Sequence, residues 1–432
     1  MEGKLKQKYI DKFGRNIIYK SIAGVYHFLL LRCSIWKYKW YSNSLRNQKK
    51  GTEKISIVFL ASMPEFWNSL KTVYQAAMDH SNIEAHLLLL PLKTEYGLWK
   101  YKEDNIYNIY PTYKKVFDES TKVWTEIEKF SPDYVFFERP YNNFLPKGYK
   151  SSDVVKYAKV CYVPYGYILT KSPNLLKSVF ENSFFVNVSF FFASWDVAGK
   201  YCERLFHQYG NKNRKVIYLG FPRFDLLPEY IEKENTNNCT ILWTPRWTVT
   251  KDNINDKSSD TSFFRFKDNV IERCINNKKE KWIVRPHPLA FQNYISDNIM
   301  SKEEVELYKK TLNKMENISL DNNKDYLIGF QESDILVTDF SSLIIEYFMM
   351  GKPIIYCGNL EALPFKELRD NVYLANQWKD VIDVLEKLKR GIDPLKSRRL
   401  LVSKKLRVVE NGTIGKAIIQ YIVNEKTTMD DR

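Results

Sequence analysis

The chain has 432 residues, 44% hydrophobic and 15% aromatic, with a formal net charge of +15. That length exceeds one comfortable core, and that apolar content excludes global disorder, so two domains are expected. Residues 1–50 hold nine Lys and three Arg against Glu2 and Asp11, net +10, which leaves only +5 for the rest and excludes a nucleic-acid groove spread over the protein.

The basic segment comes first. Residues 17–41, IIYKSIAGVYHFLLLRCSIWKYKWY, are apolar and aromatic but interrupted by Lys20, Arg32, Lys37 and Lys39. The uncharged run, residues 21–31, is 11 residues long, short of the ~20 that span a bilayer. On a helix, Ile18, Ile22, Val25, Leu29, Trp36 and Trp40 share one side, with Lys20, Gly24, His27 and Ser34 opposite and Lys37 off the pattern. Such a face suits a helix lying on an anionic membrane surface. The alternative is a terminal helix packed on the protein's own body. No short apolar run with a small-residue cleavage site opens the chain, so no secretory signal is expected. Six cysteines without a C-x-x-C pair fit reduced thiols in a cytosolic compartment better than zinc or a disulfide framework.

After a hinge at residues 50–52, short apolar runs alternate with helical patterns. Strands are expected at 55–61, 84–90, 133–138, 159–164, 189–193 and 215–219, with helices over 65–80 and 195–209. This pattern predicts an α/β domain with a mostly parallel sheet. No G-x-G-x-x-G follows the first strand, so a dinucleotide fingerprint is missing. GFPRFD (220–225) closes the domain, and a polar stretch at 232–238 leads into a second α/β series. Its strands are expected at 240–244, 282–285, 334–338 and 354–357, with helices over 263–276 and 302–315 and a solvated loop at 251–261. Beyond Trp378 the chain reads as helix nearly to its end, broken at Asn411-Gly412.

Residues 333–357, SDILVTDFSSLIIEYFMMGKPIIYC, organise the second series. A strand leads into a turn with Asp339, Ser341 and Ser342, then into a helix through about Met350, and Gly351-Lys352-Pro353 starts the next strand. Two hydroxyls at a helix N-terminus suit an anion, and Ser342 and Glu346 share one helix face. The competing reading is a simple helix cap. Arg285-Pro286-His287-Pro288 also follows a strand. The prolines favour extended backbone, so Arg285 and His287, two apart, are expected to face one spot at a strand's carboxyl end. An Arg fork and an imidazole there suit phosphate; a surface turn with a salt-bridged Arg is the other reading. Thr244-Pro245-Arg246-Trp247 offers Pro245 as a stiff exit and Arg246 for phosphate, or else a capping turn with an aromatic plug. In Pro164-Tyr165-Gly166-Tyr167, Gly166 lets backbone approach a ligand and Tyr165 can stack or donate, unless the turn is merely packed. No D-x-D and no metal-ligand spacing occurs, so no cofactor or metal is expected. A departing diphosphate would be met by Arg285, His287, the Ser341/Ser342 turn and backbone N–H groups.

ILWTPRW, RPHP, SDILVTDFSSLIIEYFMMGKPIIY and ENGTIGKA, in that order and with GFPRFD before them, resemble the CDP-glycerol glycerophosphotransferase family of bacterial wall and capsule polymer synthesis. The likeness covers roughly residues 131–423 and is strongest beyond Thr240. It implies two Rossmann-like domains in the GT-B fold, with residues 1–50 as a basic amphipathic extension, 51–230 on the acceptor side, 231–402 binding a nucleotide donor, and 403–432 as a C-terminal helix and tail. It further implies a peripheral enzyme on the cytoplasmic side of the cell membrane, CDP-glycerol or a related donor, and a lipid-linked glycan or polyol-phosphate acceptor. By this resemblance Arg285 and His287 match a donor-phosphate pair, Thr338, Ser341 and Ser342 match phosphate-binding hydroxyls, and Glu346 falls near the ribose. One departure stands out: Tyr165 occupies the place of the family's candidate base, a His. A tyrosine of ordinary pKa ~10 is a poor base at neutral pH. Either the base lies elsewhere, or Tyr165 is tuned, or the donor or acceptor differs. A nucleotide-sugar glycosyltransferase and an inactive membrane-bound scaffold of the same fold are the rival expectations.

Overall fold

The computed structural model of the chain describes residues 29, 31–44, 54–101, 112–210, 213–227, 238–247, 261–323, 325–363, 365–407, 409 and 413–430. Outside them lie Ile18, Ile22 and Val25 of the N-terminal face, the hinge at 50–52, most of 232–238 and of the 251–261 loop, and the Asn411-Gly412 break.

The chain divides into two compact units. One takes residues up to Tyr165, Ser172–Tyr218 and Ile418 onward; the other takes residues 166–171 and 219–417. The main change of unit thus comes at 218/219, earlier than the 230/231 boundary expected from sequence.

Seven strands form the sheet of the first unit: β1 (Ile55–Ala61), β2 (Ile83–Leu89), β5 (Lys114–Lys115), β6 (Tyr134–Phe137), β7 (Lys159–Tyr162), β8 (Val188–Ala193) and β9 (Lys215–Tyr218). They run in the order β5-β2-β1-β6-β7-β8-β9, every pairing parallel. β3 (Leu92–Lys93) and β4 (Trp99–Lys100) make a separate antiparallel ribbon. Every residue of β1, β6 and β8 is buried. That is why these strands read as nearly continuous apolar runs, interrupted only by Ser56 and Ser189, rather than as alternations: a parallel sheet is covered on both faces.

The second unit repeats the plan with β10 (Cys239–Thr244), β11 (Glu280–Val284), β12 (Ile318–Leu320), β13 (Ile335–Thr338), β14 (Ile354–Tyr356) and β15 (Tyr373–Leu374). The order is β12-β11-β10-β13-β14-β15, again all parallel. Its core is aromatic. Trp243 and Trp282 are fully buried, and Phe263 stacks on Trp243 at 5.9 Å. In each sheet the strand order reverses beside the first strand, between β1 and β6 and between β10 and β13. Such switch points open a crevice beyond the strands' carboxyl ends.

Every strand of four or more residues, and β14, falls within two residues of an expected one. β3, β4, β5, β12 and β15, each of two or three residues, have no counterpart because so short a run carries no periodicity. Two expected helices are broken. The 65–80 pattern is split into Pro64–Trp67 and Lys71–Met78; between them the Ser69 hydroxyl donates to the Phe66 carbonyl at 2.9 Å, a local bond that competes with the helix. The tail is three helices, Trp378–Lys389, Lys396–Leu406 and Ile414–Asp430. Gly391, at φ 77°, stops the first, with the Ile392 N–H returning to the Lys387 carbonyl at 2.9 Å. A left-handed stop of this kind favours glycine.

Two terminal helices complete the first unit. On the C-terminal one, Glu425 accepts from Tyr134 (2.6 Å) and Lys159 (2.7 Å), and Lys426 pairs with Asp133 at 3.2 Å. Residues 31–44 form the other. Its Tyr38 is fully buried, donates to Ser189 Oγ at 3.2 Å, and lies 3.6 Å beneath the Arg214 guanidinium. Leu29, Trp36 (68% exposed) and Trp40 (60% exposed) remain on the outside. One edge of this helix thus packs on the protein and the other presents aromatic surface.

Candidate functional site

The ends of β10, β11 and β13 lie side by side, because Trp243 pairs with Val284 and Thr244 with Thr338. Arg246, the Arg285–His287 segment and Ser341–Ser342 are thereby gathered beyond three adjacent strands at the switch point of the second sheet.

The loop after β10 is fixed through its backbone. The Arg246 N–H donates to Asp339 Oδ2 (2.8 Å), and its carbonyl accepts from Thr261 Oγ1 (2.7 Å) and the Tyr294 hydroxyl (3.0 Å). The guanidinium lies over the Phe340 ring at 5.5 Å. Pro245 is buried.

After β11, the Arg285 N–H donates to the Trp243 carbonyl at 2.8 Å, which sets the segment's register. The Arg285 guanidinium makes a 2.7 Å ion pair with Asp321, the residue that follows β12. Sequence reading missed Asp321; its only signal was an acid following the short Ile-Ser-Leu segment. His287 is exposed, its ring 5.5 Å from that of Trp247. Its Nδ1 accepts the Leu289 N–H at 3.2 Å, so in the neutral ring the proton sits on Nε2. Partial burial and the nearby Arg246 charge lower its pKa. His287 is therefore a neutral hydrogen-bond donor at pH 7.

After β13 the expected groups separate into outward and inward sets. Ser342 is exposed, and Ser341 is half-buried with Oγ accepting the Leu343 N–H at 3.3 Å. The following helix, Leu343–Met349, has only seven residues, so the hydroxyls matter more here than a long helix dipole. The other three face inward. Thr338, expected as a phosphate hydroxyl, is buried and joined to Thr244 Oγ1 at 2.6 Å. Asp339, expected at the donor, is fully buried; its Oδ2 accepts from Arg246 N and Ser262 N (both 2.8 Å) and from Ser262 Oγ (3.0 Å). Glu346, expected near a ribose, is 1% exposed, accepts from the Tyr326 hydroxyl, and pairs with Arg223 of GFPRFD at 3.4 Å. These carboxylates brace the site from behind: Asp339 holds the Arg246 loop, and Glu346 anchors the linker. Asp225 of the same linker accepts from the Ile414 and Gly415 N–H groups at 3.2 and 2.9 Å, capping the C-terminal helix.

Burial of Asp339 raises its pKa from 3.8 to about 6. The folded state then holds a proton that the unfolded state releases between those values. Stability from this group is present below about pH 4 and lost as pH rises through about 6, a swing of about 3 kcal/mol. Asp339→Asn removes that titration. Chemical denaturation at pH 4 and pH 6.5 should show the wild type losing stability relative to Asp339→Asn; parallel curves would refute the assignment.

Tyr165 and Gly166 lie elsewhere, at the end of β7. Tyr165 is half-buried, its hydroxyl 3.1 Å from that of Tyr141, and burial with that hydrogen bond pushes its pKa far upward. It is not tuned toward a base; it is a stronger-held phenol. A Cβ at Gly166 would meet nothing within 4 Å, so the protein's own packing does not require glycine there.

Residues 191–368, which contain Arg246, Arg285, His287, Ser341 and Ser342, match the family model described as CDP-glycerol:poly(glycerophosphate) glycerophosphotransferase. Over that segment the chain is similar to the CDP-glycerol glycerophosphotransferase family. It is 25% identical over 221 residues, 48% of its length, to the minor teichoic acid biosynthesis protein GgaB of Bacillus subtilis (strain 168), and spans 21% of that relative's length. Among solved structures it resembles a UDP-N-acetylglucosamine 2-epimerase from Listeria monocytogenes (TM-score 0.54, 12% identity, 87% of this chain and 97% of that one). It also resembles the wall teichoic acid polymerase TagF (TM-score 0.50, 12% identity, 97% of this chain and 100% of that one). At those identities the likeness concerns the fold: two Rossmann-like sheets, as the sequence led one to expect.

Proposed function

We propose that this protein transfers glycerol phosphate from CDP-glycerol to a hydroxyl of a lipid-linked glycan or polyol-phosphate acceptor in the synthesis of a teichoic acid-like or capsule polymer, releasing CMP. The observation that carries the reading is the gathering of Arg246, Arg285, His287, Ser341 and Ser342 beyond three adjacent strand ends, inside the segment that matches the family. The acceptor hydroxyl oxygen attacks the β-phosphorus, and its proton passes to solvent as the new P–O bond forms. The bond from that phosphorus to the oxygen bridging it to CMP breaks, and CMP departs with the electron pair. Arg246 and Arg285 offset the growing charge, and His287 Nε2–H donates a hydrogen bond to the departing phosphate. Because side chains supply this positive charge, transfer proceeds without a divalent metal in this reading. Thermal melting in EDTA tests it: CDP-glycerol should raise the midpoint by mass action, and a response only to UDP-sugars would overturn it in favour of a glycosyltransferase.

The same reading places the enzyme peripherally on the cytoplasmic face of the cell membrane. Exposed Leu29, Trp36 and Trp40 beside Lys37 and Lys39 support it, since tryptophan and lysine together suit an anionic interface. Among the described residues no helix is long and apolar enough to cross a membrane. Trp36→Ala/Trp40→Ala leaves the buried Tyr38 edge intact and should abolish flotation with phosphatidylglycerol vesicles. Undiminished flotation would remove this helix from the membrane contact.

A further inference from the structure

The switch point of the first sheet holds a second polar cluster, built by the residues that follow β1 and β6. Leu60 pairs with Phe137, which brings Ser62 and Met63 beside Glu138 and Arg139. Glu138 is buried, and its carboxylate accepts from the Ser62 N–H (2.8 Å), the Met63 N–H (3.4 Å) and the Ser62 hydroxyl. Arg139 is 9% exposed and donates through Nη2 to Ser62 Oγ at 3.0 Å. Its Nε stands 3.7 Å from Glu138, is buried, and has no hydrogen-bond partner.

An ion pair that existed only to stabilise the fold would be expected to use the guanidinium fork against the carboxylate. Here Glu138 takes its hydrogen bonds from Ser62 and Met63 instead. It balances the Arg139 charge while leaving most of the five N–H donors for another acceptor. Rings hold the guanidinium in place: Phe66 at 5.5 Å and Phe144 at 5.1 Å. Phe144 is itself 55% exposed, an apolar wall open to solvent beside a buried cation. The paired hydroxyls of Tyr141 and Tyr165 lie within electrostatic reach of the same guanidinium.

We propose that Arg139 is a binding residue for a phosphate group of the acceptor, with Phe144 walling the site and the hydrogen-bonded Tyr141–Tyr165 pair offering its one remaining O–H to the same oxyanion. The proposal rests on the transferase reading for the word acceptor, but the cluster shares no residue with the donor site. It also gives Tyr165 a role suited to a phenol that keeps its proton: hydrogen-bond donor rather than base.

The test is calorimetric titration of the full chain with oligo(glycerol phosphate) and, separately, with CDP-glycerol. Arg139→Lys keeps the charge that balances Glu138 but loses the planar fork, and should weaken oligo(glycerol phosphate) binding at least about tenfold with CDP-glycerol binding unchanged. Phe144→Ala, at an exposed ring, should weaken the oligomer several-fold without lowering the melting temperature. Equal oligomer affinity in Arg139→Lys and wild type, or no binding by the wild type, overturns the proposal. So does a loss confined to phosphatidylglycerol vesicles, which would assign the site to a lipid headgroup. Failure of CDP-glycerol to bind while Arg139 still governs oligomer binding would defeat the donor reading and leave this site standing.

Discussion

His287→Ala is expected to lower turnover by on the order of 10²-fold or more, the usual loss when a preorganised donor to developing charge is removed. Three features of this side chain make it such a donor. The Leu289 N–H bonded to Nδ1 at 3.2 Å fixes the tautomer with the proton on Nε2. Partial burial and Arg246 lower the pKa, so the ring is neutral at pH 7. Trp247 packs against the ring at 5.5 Å and limits its rotation. Affinity for CDP-glycerol should change much less than kcat, because the hydrogen bond strengthens as the leaving phosphate gains charge. Because its pKa is lowered from the ordinary histidine value, His287 stays neutral at pH 7 and above, and its ionisation should not change the wild-type rate between pH 7 and 8. His287→Asn, which keeps an N–H donor, should recover part of the loss. Near wild-type turnover in His287→Ala would exclude it from the mechanism.

The second large effect is structural. Glu346→Ala should destabilise the second unit by about 3–5 kcal/mol, because it leaves the Arg223 charge buried without its counter-ion. Both side chains are nearly excluded from solvent, at 1% and 7% exposure, and Tyr326 loses the acceptor for its hydroxyl in the same change. Arg223→Ala should cost a similar amount by stranding Glu346, whose pKa burial already raises despite the arginine. The paired replacement Arg223→Met/Glu346→Leu removes both charges and should be markedly less harmful than the two single changes added together. Denaturant unfolding followed by tryptophan fluorescence measures all three. Single variants within about 1 kcal/mol of wild type would mean that the pair contributes no more than an exposed salt bridge.

Part of this molecule is settled by local sequence alone, and part required the assembled chain. Local pattern was enough for the longer strands, for the two α/β series, and for the position of RPHP and DFSS at strand ends. Apolar runs bounded by turn residues state which segments are buried, and a proline on either side of His287 constrains the backbone without help from distant residues. The motifs in residues 191–368 are likewise contiguous, so the family resemblance could be read directly.

Tertiary structure decided which way the polar side chains face. Ser342 and Glu346 share a helix face on paper, yet Ser342 is exposed whereas Glu346 is drawn inward by Arg223, more than a hundred positions earlier in the chain. Thr338 is one residue from the turn but bonds to Thr244 on the neighbouring strand, and Asp339 secures the Arg246 loop. Asp321, the partner of Arg285, follows a strand too short to be seen in sequence. The Ser62–Glu138–Arg139 cluster joins two segments that register alone brings together. In each case the governing cost is that of burying a polar or charged group without a partner. That cost depends on residues far away in sequence, and only the folded chain supplies them.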